Sequence, residues 1–244
     1  MTTQPFSRRS LAVLAAVALA ATPLALGAQT TPQTSRPMKI GFIGSGNIGG
    51  AIGELFAKAG HEVFFSSRNP DNLKALVARV GPRARAGTPK EAIAFGDVVF
   101  IGVPFSSMPQ IGQDYAAALK GKIVLDAGNP NPRRDGAVAE PAVAKGAGLA
   151  TAELLPGARV VRAFNQLNFK VFLSEAHRAG DKVAVPLGGD DQQALAVAAR
   201  LVTDAGFEPV MVGSLAASKS FDSSQPIFLK AMTARELKAA LKLP

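Results

Sequence analysis

Met38-Lys39-Ile40-Gly41-Phe42-Ile43-Gly44-Ser45-Gly46-Asn47-Ile48-Gly49-Gly50 is the most informative stretch of the chain. Its apolar first half reads as a short buried strand, and the glycines lead into a helical pattern that runs to Ala59, with Gly60 as its C-cap. A second strand, His61-Glu62-Val63-Phe64-Phe65-Ser66, follows at once. Gly44, Gly46 and Gly49 form a GxGxxG turn between strand and helix, the context in which that spacing binds a dinucleotide. Gly44 permits the tight turn, Gly46 lets a diphosphate approach the backbone, and Gly49 lets helix and strand pack closely. The helix N-terminus adds unpaired N–H groups and partial positive charge around Ser45, Asn47 and Ile48.

The end of the second strand selects the dinucleotide. An NAD site usually carries Asp or Glu there, to accept the ribose 2′-hydroxyl. This chain has Ser66-Ser67-Arg68-Asn69 instead. Hydroxyl and guanidinium together suit a 2′-phosphate, so NADP is the expected cofactor. A solvated loop cation is the plainer alternative for Arg68. Asn69-Pro70 then reads as an N-cap with proline at N1.

Strands and helices go on alternating. Thr88-Pro89-Lys90-Glu91 is a capping box opening a helix that ends near Gly96. Strands are expected over 97–104, 122–128, 158–164, 182–187 and 207–212, with an amphipathic helix over 190–205 whose acidic residues fall in its first turn. The pattern predicts an α/β fold: a Rossmann-type, doubly wound, mainly parallel sheet with helices on both faces and a short C-terminal helical extension.

Upstream of this core, Arg8 and Arg9 precede the apolar run Leu11–Ala21, which is too short to cross a bilayer as a helix and ends before Pro23. Residues 1–28 are therefore expected to be a signal peptide of twin-arginine type, with a Sec route as the alternative signal and a membrane anchor as the plainer reading of the segment. Residues 29–37 are expected to be a flexible lead-in, and 38–244 a single NADP-binding domain. The mature protein would be periplasmic, with no membrane segment after cleavage.

Composition narrows the chemistry. With no cysteine and two histidines, His61 and His177, thiolate sites, disulfides and histidine-rich metal centres are excluded. Neither histidine has a triad or ligand partner in sequence, so both are expected to be structural, and no metal site or catalytic side chain is expected. The formal charge of +9 raises a nucleic-acid role, but one Tyr and no Trp leave the basic residues without interleaved aromatics.

Several segments carry a family resemblance: Gly44-Ser45-Gly46-Asn47-Ile48-Gly49, Ser67-Arg68-Asn69-Pro70, Val103-Pro104, Asp126-Ala127-Gly128-Asn129-Pro130 and Val161-Arg162-Ala163-Phe164-Asn165. On these the chain resembles the NADP oxidoreductases dependent on the deazaflavin coenzyme F-420. It is also similar to the cytoplasmic NADPH domain of the STEAP metalloreductases. Val212–Lys219 resembles a further family segment, in which an arginine is more usual than Lys219. The resemblance implies a nicotinamide at the carboxyl ends of the strands, near Val103, Pro104, Asn129, Pro130, Ala163, Phe164 and Asn165. A second flat cofactor, coenzyme F-420 or a flavin, would stack on it. The residues alone also allow plainer duties: Val103-Pro104 as a strand end, Phe164 as core, and Asn129 and Asn165 as turn residues. Arg133-Arg134 and Arg83/Arg85 could form an anion-attracting rim or simply solubilise the surface.

Three functions follow. The first is hydride transfer between NADPH and a deazaflavin or flavin acceptor, in which cofactors carry the hard chemistry and the protein supplies orientation. The second is a dehydrogenase of small imines or oxo acids. Only 32 residues follow Val212, so a homodimer partner would have to complete its pocket. The third is a module that binds NADP without turnover.

Overall fold

The computed structural model describes residues 1–3 and 36–244. The expected signal peptide and most of the lead-in lie outside the described residues. Residues 36–244 make one compact unit built on an eight-stranded sheet.

The strands are β1 (Lys39–Ile43), β2 (Glu62–Ser66), β3 (Ala84–Gly87), β4 (Val98–Ile101), β5 (Ile123–Asp126), β6 (Arg159–Arg162), β7 (Ala184–Gly189) and β8 (Glu208–Gly213), in the spatial order 3-2-1-4-5-6-7-8. β1 to β6 are parallel in the 3-2-1-4-5-6 order of doubly wound dinucleotide folds. β7 runs antiparallel to β6, and β8 parallel to β7. The helices are α1 (Asn47–Lys58), α2 (Lys74–Val80), α3 (Pro89–Phe95), α4 (Met108–Leu119), α5 (Pro132–Asp135), α6 (Glu140–Lys145), α7 (Ala147–Leu154), α8 (Phe169–Glu175), α9 (Gln192–Asp204) and α10 (Ala234–Leu241).

Because side chains alternate along a strand, each apolar strand feeds both faces of the sheet. Ile40, Phe42, Val98, Phe100, Leu125 and Val161 enter one core with residues of α1, α8 and α9. Ile43, Val99, Ile101, Val124 and Val160 enter the other with residues of α3, α4 and α7. A third cluster, Ala184, Val210, Phe221, Ile227 and Leu237, fastens the C-terminal segment to β7 and β8. This segment is the short helical extension expected from the sequence.

Local signals behave unevenly. The Thr88 capping box forms, with Thr88 accepting from Glu91 N–H and α3 stopping at Gly96. Asn69 does precede Pro70, but its side chain makes no cap bond, and the first turn is a 3-10 turn before α2. Asp190 and Asp191 fall outside the first turn of α9: Asp191 is its N-cap, and Asp190 accepts from Leu215 N–H across the β8 end. β3 and α4 form where no element was expected. β3 is an edge strand whose Arg85 lies on the Phe95 ring, 5.5 Å from its centroid, and Arg83 donates to Gly60 O. Both arginines are thus spent on local contacts.

Candidate functional site

The parallel register brings five strand ends together: Ile43 pairs with Ser66 and Ile101, Ile101 with Asp126, and Asp126 with Arg162. The loops that leave these residues, with the first turn of α1, contain every residue expected to bind a cofactor.

Each of the three motif glycines has its own reason. Gly44 has φ +89°, and a Cβ there would lie 2.5 Å from Val103 Cγ1. A Cβ on Gly49 would lie 2.1 Å from the Gly44 carbonyl oxygen. Gly46 is different, since nothing lies within 4 Å of the place its Cβ would take. The backbone there faces open space at the N-terminus of α1, which no side chain caps. Thr88, Asn131, Asn168, Asp191 and Thr233 cap α3, α5, α8, α9 and α10, while α2, α4, α6 and α7 are uncapped like α1; what sets α1 apart is the open backbone at Gly46.

Ser45 is a brace. Its hydroxyl donates to Ser66 O at 3.1 Å and accepts from Ser66 N–H at 3.0 Å, which ties the glycine turn to the end of β2. Just beyond, the Ser67 hydroxyl accepts from Asn69 N–H and keeps its own hydrogen to donate. Arg68 is exposed and has no hydrogen-bond or ion-pair partner among the described residues. Asn47 is exposed beside Gly46, whereas the Ile48 side chain packs against the core.

Farther along the edge, Val103 packs on the glycine turn and Pro104 is exposed. Asn129 is half-buried: its amide nitrogen donates to Asn165 O at 2.7 Å, and its amide oxygen accepts from Asn165 Nδ2. Pro130 is buried and borders a recess of about 170 Å³ facing Asp222, Ser223 and Ser224. Arg134 braces this loop through Asn129 O and a two-pronged pair with Asp135. Burial alone would raise the Asp135 carboxyl. The Arg134 side chain and the N–H groups of Asn131 and Ser106 outweigh it and bring it down to about 2. Arg134 is thus committed to its own loop, which leaves Arg133 alone from the expected rim.

Three of the expected residues are buried. Ala163 and Phe164 are fully buried, and the Phe164 ring packs among Phe56, Phe100 and Phe172 in the larger core, the plainer duty its sequence also allowed. Asn165 is 3 % exposed and donates to Phe221 O. It joins the C-terminal segment to Asn129. The residues missed were Arg162 and Asp222, both buried and ion-paired. The signal for Arg162 was in plain view, a charge inside the apolar strand Val160-Val161-Arg162-Ala163.

A glycine turn with open backbone, an uncapped helix and the Ser67–Arg68 pair, all at one end of a 3-2-1-4-5-6 sheet, make an NADP-type dinucleotide-binding fold of the Rossmann class. A family model described as NADP oxidoreductase, coenzyme F420-dependent, matches residues 39–130. A hypothetical protein from Sinorhizobium meliloti is 30% identical, with a TM-score of 0.69 over 81% of this chain and 95% of that one. Residues 39–130 therefore carry the pattern of the coenzyme F420-dependent NADP oxidoreductase family. Metalloreductase STEAP3 of Rattus norvegicus is 27% identical over 188 residues, 76% of this chain; the chain spans only 36% of that protein's length. An Arthrobacter sp. FB24 protein assigned as an F420-dependent NADP reductase shares the fold at TM-score 0.66 and 23% identity, over 75% of this chain and 88% of that one.

Proposed function

We propose that the protein transfers hydride between NADPH and a flat acceptor of the deazaflavin or flavin class. One observation carries this reading: an unbroken line of contacts runs from Ser66 through Ser45, Gly44 and Val103 to the β5 end, and from Asn129 to Asn165. It supports a single crevice long enough for an extended dinucleotide, lying outside the carboxyl ends of the strands.

The residues present fit the group. Open backbone at Gly46 and the free N–H groups of α1 would hold a diphosphate, with no side chain competing for them. Ser67 and Arg68 would hold the 2′-phosphate through one hydroxyl donor and the guanidinium fork. Val103, Pro104, Asn129 and Pro130 would wall the ring end and keep water from it. Bound NADPH supplies the hydride, two electrons with one proton, and the acceptor's second proton comes from solvent. The chain's own share is orientation, since neither histidine lies at the carboxyl ends of the strands: His61 bonds Met38 and Asp204, and His177 follows α8 with its backbone N–H donating to Gly206 O. The likeness to the F420-dependent family supports a deazaflavin, and that to a metalloreductase supports a flavin relay.

The test is loss of NADPH absorbance with residues 28–244 in the presence of coenzyme F-420, FMN, FAD, or FAD with a ferric chelate. One acceptor is expected to support turnover. Arg68→Ala should weaken NADPH binding about 10- to 100-fold, the worth of a charge-assisted contact, and leave NADH unchanged. Tight binding without oxidation by any acceptor would overturn the enzyme reading in favour of a nucleotide-holding module.

A further inference from the structure

Arg162 has no exposed surface, yet its guanidinium joins three separate segments. Nη1 donates to Asp126 O at 3.1 Å, Asp126 Oδ2 at 3.0 Å and Gly128 O at 2.6 Å. Nη2 donates to Asp222 Oδ1 at 3.0 Å. Asp222 is on the C-terminal segment, and its other oxygen accepts from Ala147 N–H at the start of α7. Asp126 is held in turn by Gly128 N–H and the Thr151 hydroxyl. The flat, forked guanidinium serves the Asp126–Gly128 turn with one nitrogen and Asp222 with the other, a span that the single nitrogen of an ammonium does not reproduce.

What this joint holds is the turn Gly128-Asn129-Pro130 against the C-terminal segment. A second stitch runs beside it, from Asn129 to Asn165 and on to Phe221 O. The two joined segments face each other across the recess between Pro130–Pro132 and Asp222–Ser224. None of these bonds involves the glycine turn or Ser67–Arg68. The joint therefore acts on one end of the crevice and leaves the phosphate end alone.

We propose that Arg162 and Asp222 are a positioning pair that sets the ring end of the bound dinucleotide, without touching it, by fixing the Gly128–Pro130 turn against the C-terminal segment. The proposal rests on the dinucleotide reading above. It predicts a separation of two properties that ordinary loosening of the fold would move together: affinity, dominated by phosphate contacts, and the environment of the nicotinamide.

The experiment titrates NADPH into the full chain and its variants and reads both the dissociation constant and the fluorescence enhancement of bound NADPH, which reports how firmly the reduced ring is held. Acceptor-dependent kcat/KM is read in parallel. Arg162→Lys endangers folding because it leaves buried carboxylates short of donors, so Asp222→Asn, which keeps the side-chain shape, carries the test, with a cooperative melt as the check on folding. For Asp222→Asn the NADPH dissociation constant should stay within about twofold, while the ring enhancement falls by about half or more and kcat/KM by about tenfold or more, because misplacement costs rate before affinity. Folded Asp222→Asn with wild-type ring fluorescence overturns the proposal. So does a loss of affinity in step with the loss of fluorescence, which marks a merely structural role. Failure of the unaltered chain to bind NADPH overturns the dinucleotide reading itself, and is seen before any variant is made.

Discussion

Gly44, Gly46 and Gly49 lie within six residues of one another and answer to different constraints. Gly49 is glycine because a β-carbon would run into the Gly44 carbonyl, and Gly44 because its backbone is left-handed and Val103 sits against it. Gly46 answers to neither, having ordinary φ of −76° and open space in front of it. Substitution should separate the two kinds of duty. Gly49→Ala is expected to cost stability by about 1–3 kcal/mol or more through overpacking against a backbone atom. Gly46→Ala should melt close to the unaltered chain yet bind NADPH about tenfold more weakly, because the methyl fills space the diphosphate needs. Thermal melts beside NADPH titrations check both; a Gly46→Ala variant with unchanged affinity would remove that glycine from the site. The steric reasons for these glycines were readable from the motif, and so was the exposed arginine at position 68. The brace formed by Ser45 was not, because its partner is the backbone of a residue 21 positions away.

At the scale of elements, caps and ends that rest on neighbours in sequence were legible, and those that rest on distant partners were not. Thr88 and Glu91 are three residues apart and form their box as read. His61 shows the other case. Its Nδ1 accepts from Met38 N–H at the start of β1, and its Nε2 lies 3.0 Å from Asp204 at the end of α9. The accepting nitrogen carries no hydrogen, so the ring is neutral and donates to Asp204. Burial lowers its pKa below the ordinary 6.5, outweighing the Asp204 carboxylate, and Arg200 and Arg83 act in the same direction as burial. A group whose folded pKa is depressed stabilises above its unfolded value and loses that contribution as pH falls through the folded one. Urea midpoints should therefore decline from about pH 6.5 downward, since protonation also removes the acceptor of Met38 N–H. In His61→Asn, whose amide oxygen can accept the same bond without titrating, this decline should flatten. An equally steep decline in the variant would assign the acid loss to carboxylates. For the Ala163-Phe164-Asn165 segment the sequence left a binding role and a core role both open. Its position at a strand end was right, but its side chains turn into the core and toward the C-terminal segment, which sequence distance concealed.

The whole molecule raises the matter of location. Arg8, Arg9 and the apolar run to Ala21 support export, whereas NADPH is a cytoplasmic reductant. We propose that the folded protein is exported with its nucleotide already held, which would reconcile the two. Mature protein recovered from the periplasm should then carry NADP, released on denaturation and measurable by absorbance; empty protein with weak affinity would exclude this route. By itself the sequence determined the doubly wound plan, the diphosphate turn and the preference for a 2′-phosphate. Each of these rests on hydrophobic period, glycine spacing and charge within a few tens of residues, where local sterics leave few alternatives. The antiparallel β7, the inward turn of Phe164, and the joining of Arg162 to Asp222 belong to the tertiary structure. They depend on which segments meet in space, as Arg162 meets Asp222 60 positions further along the chain, and that is set by how the two cores close on the sheet.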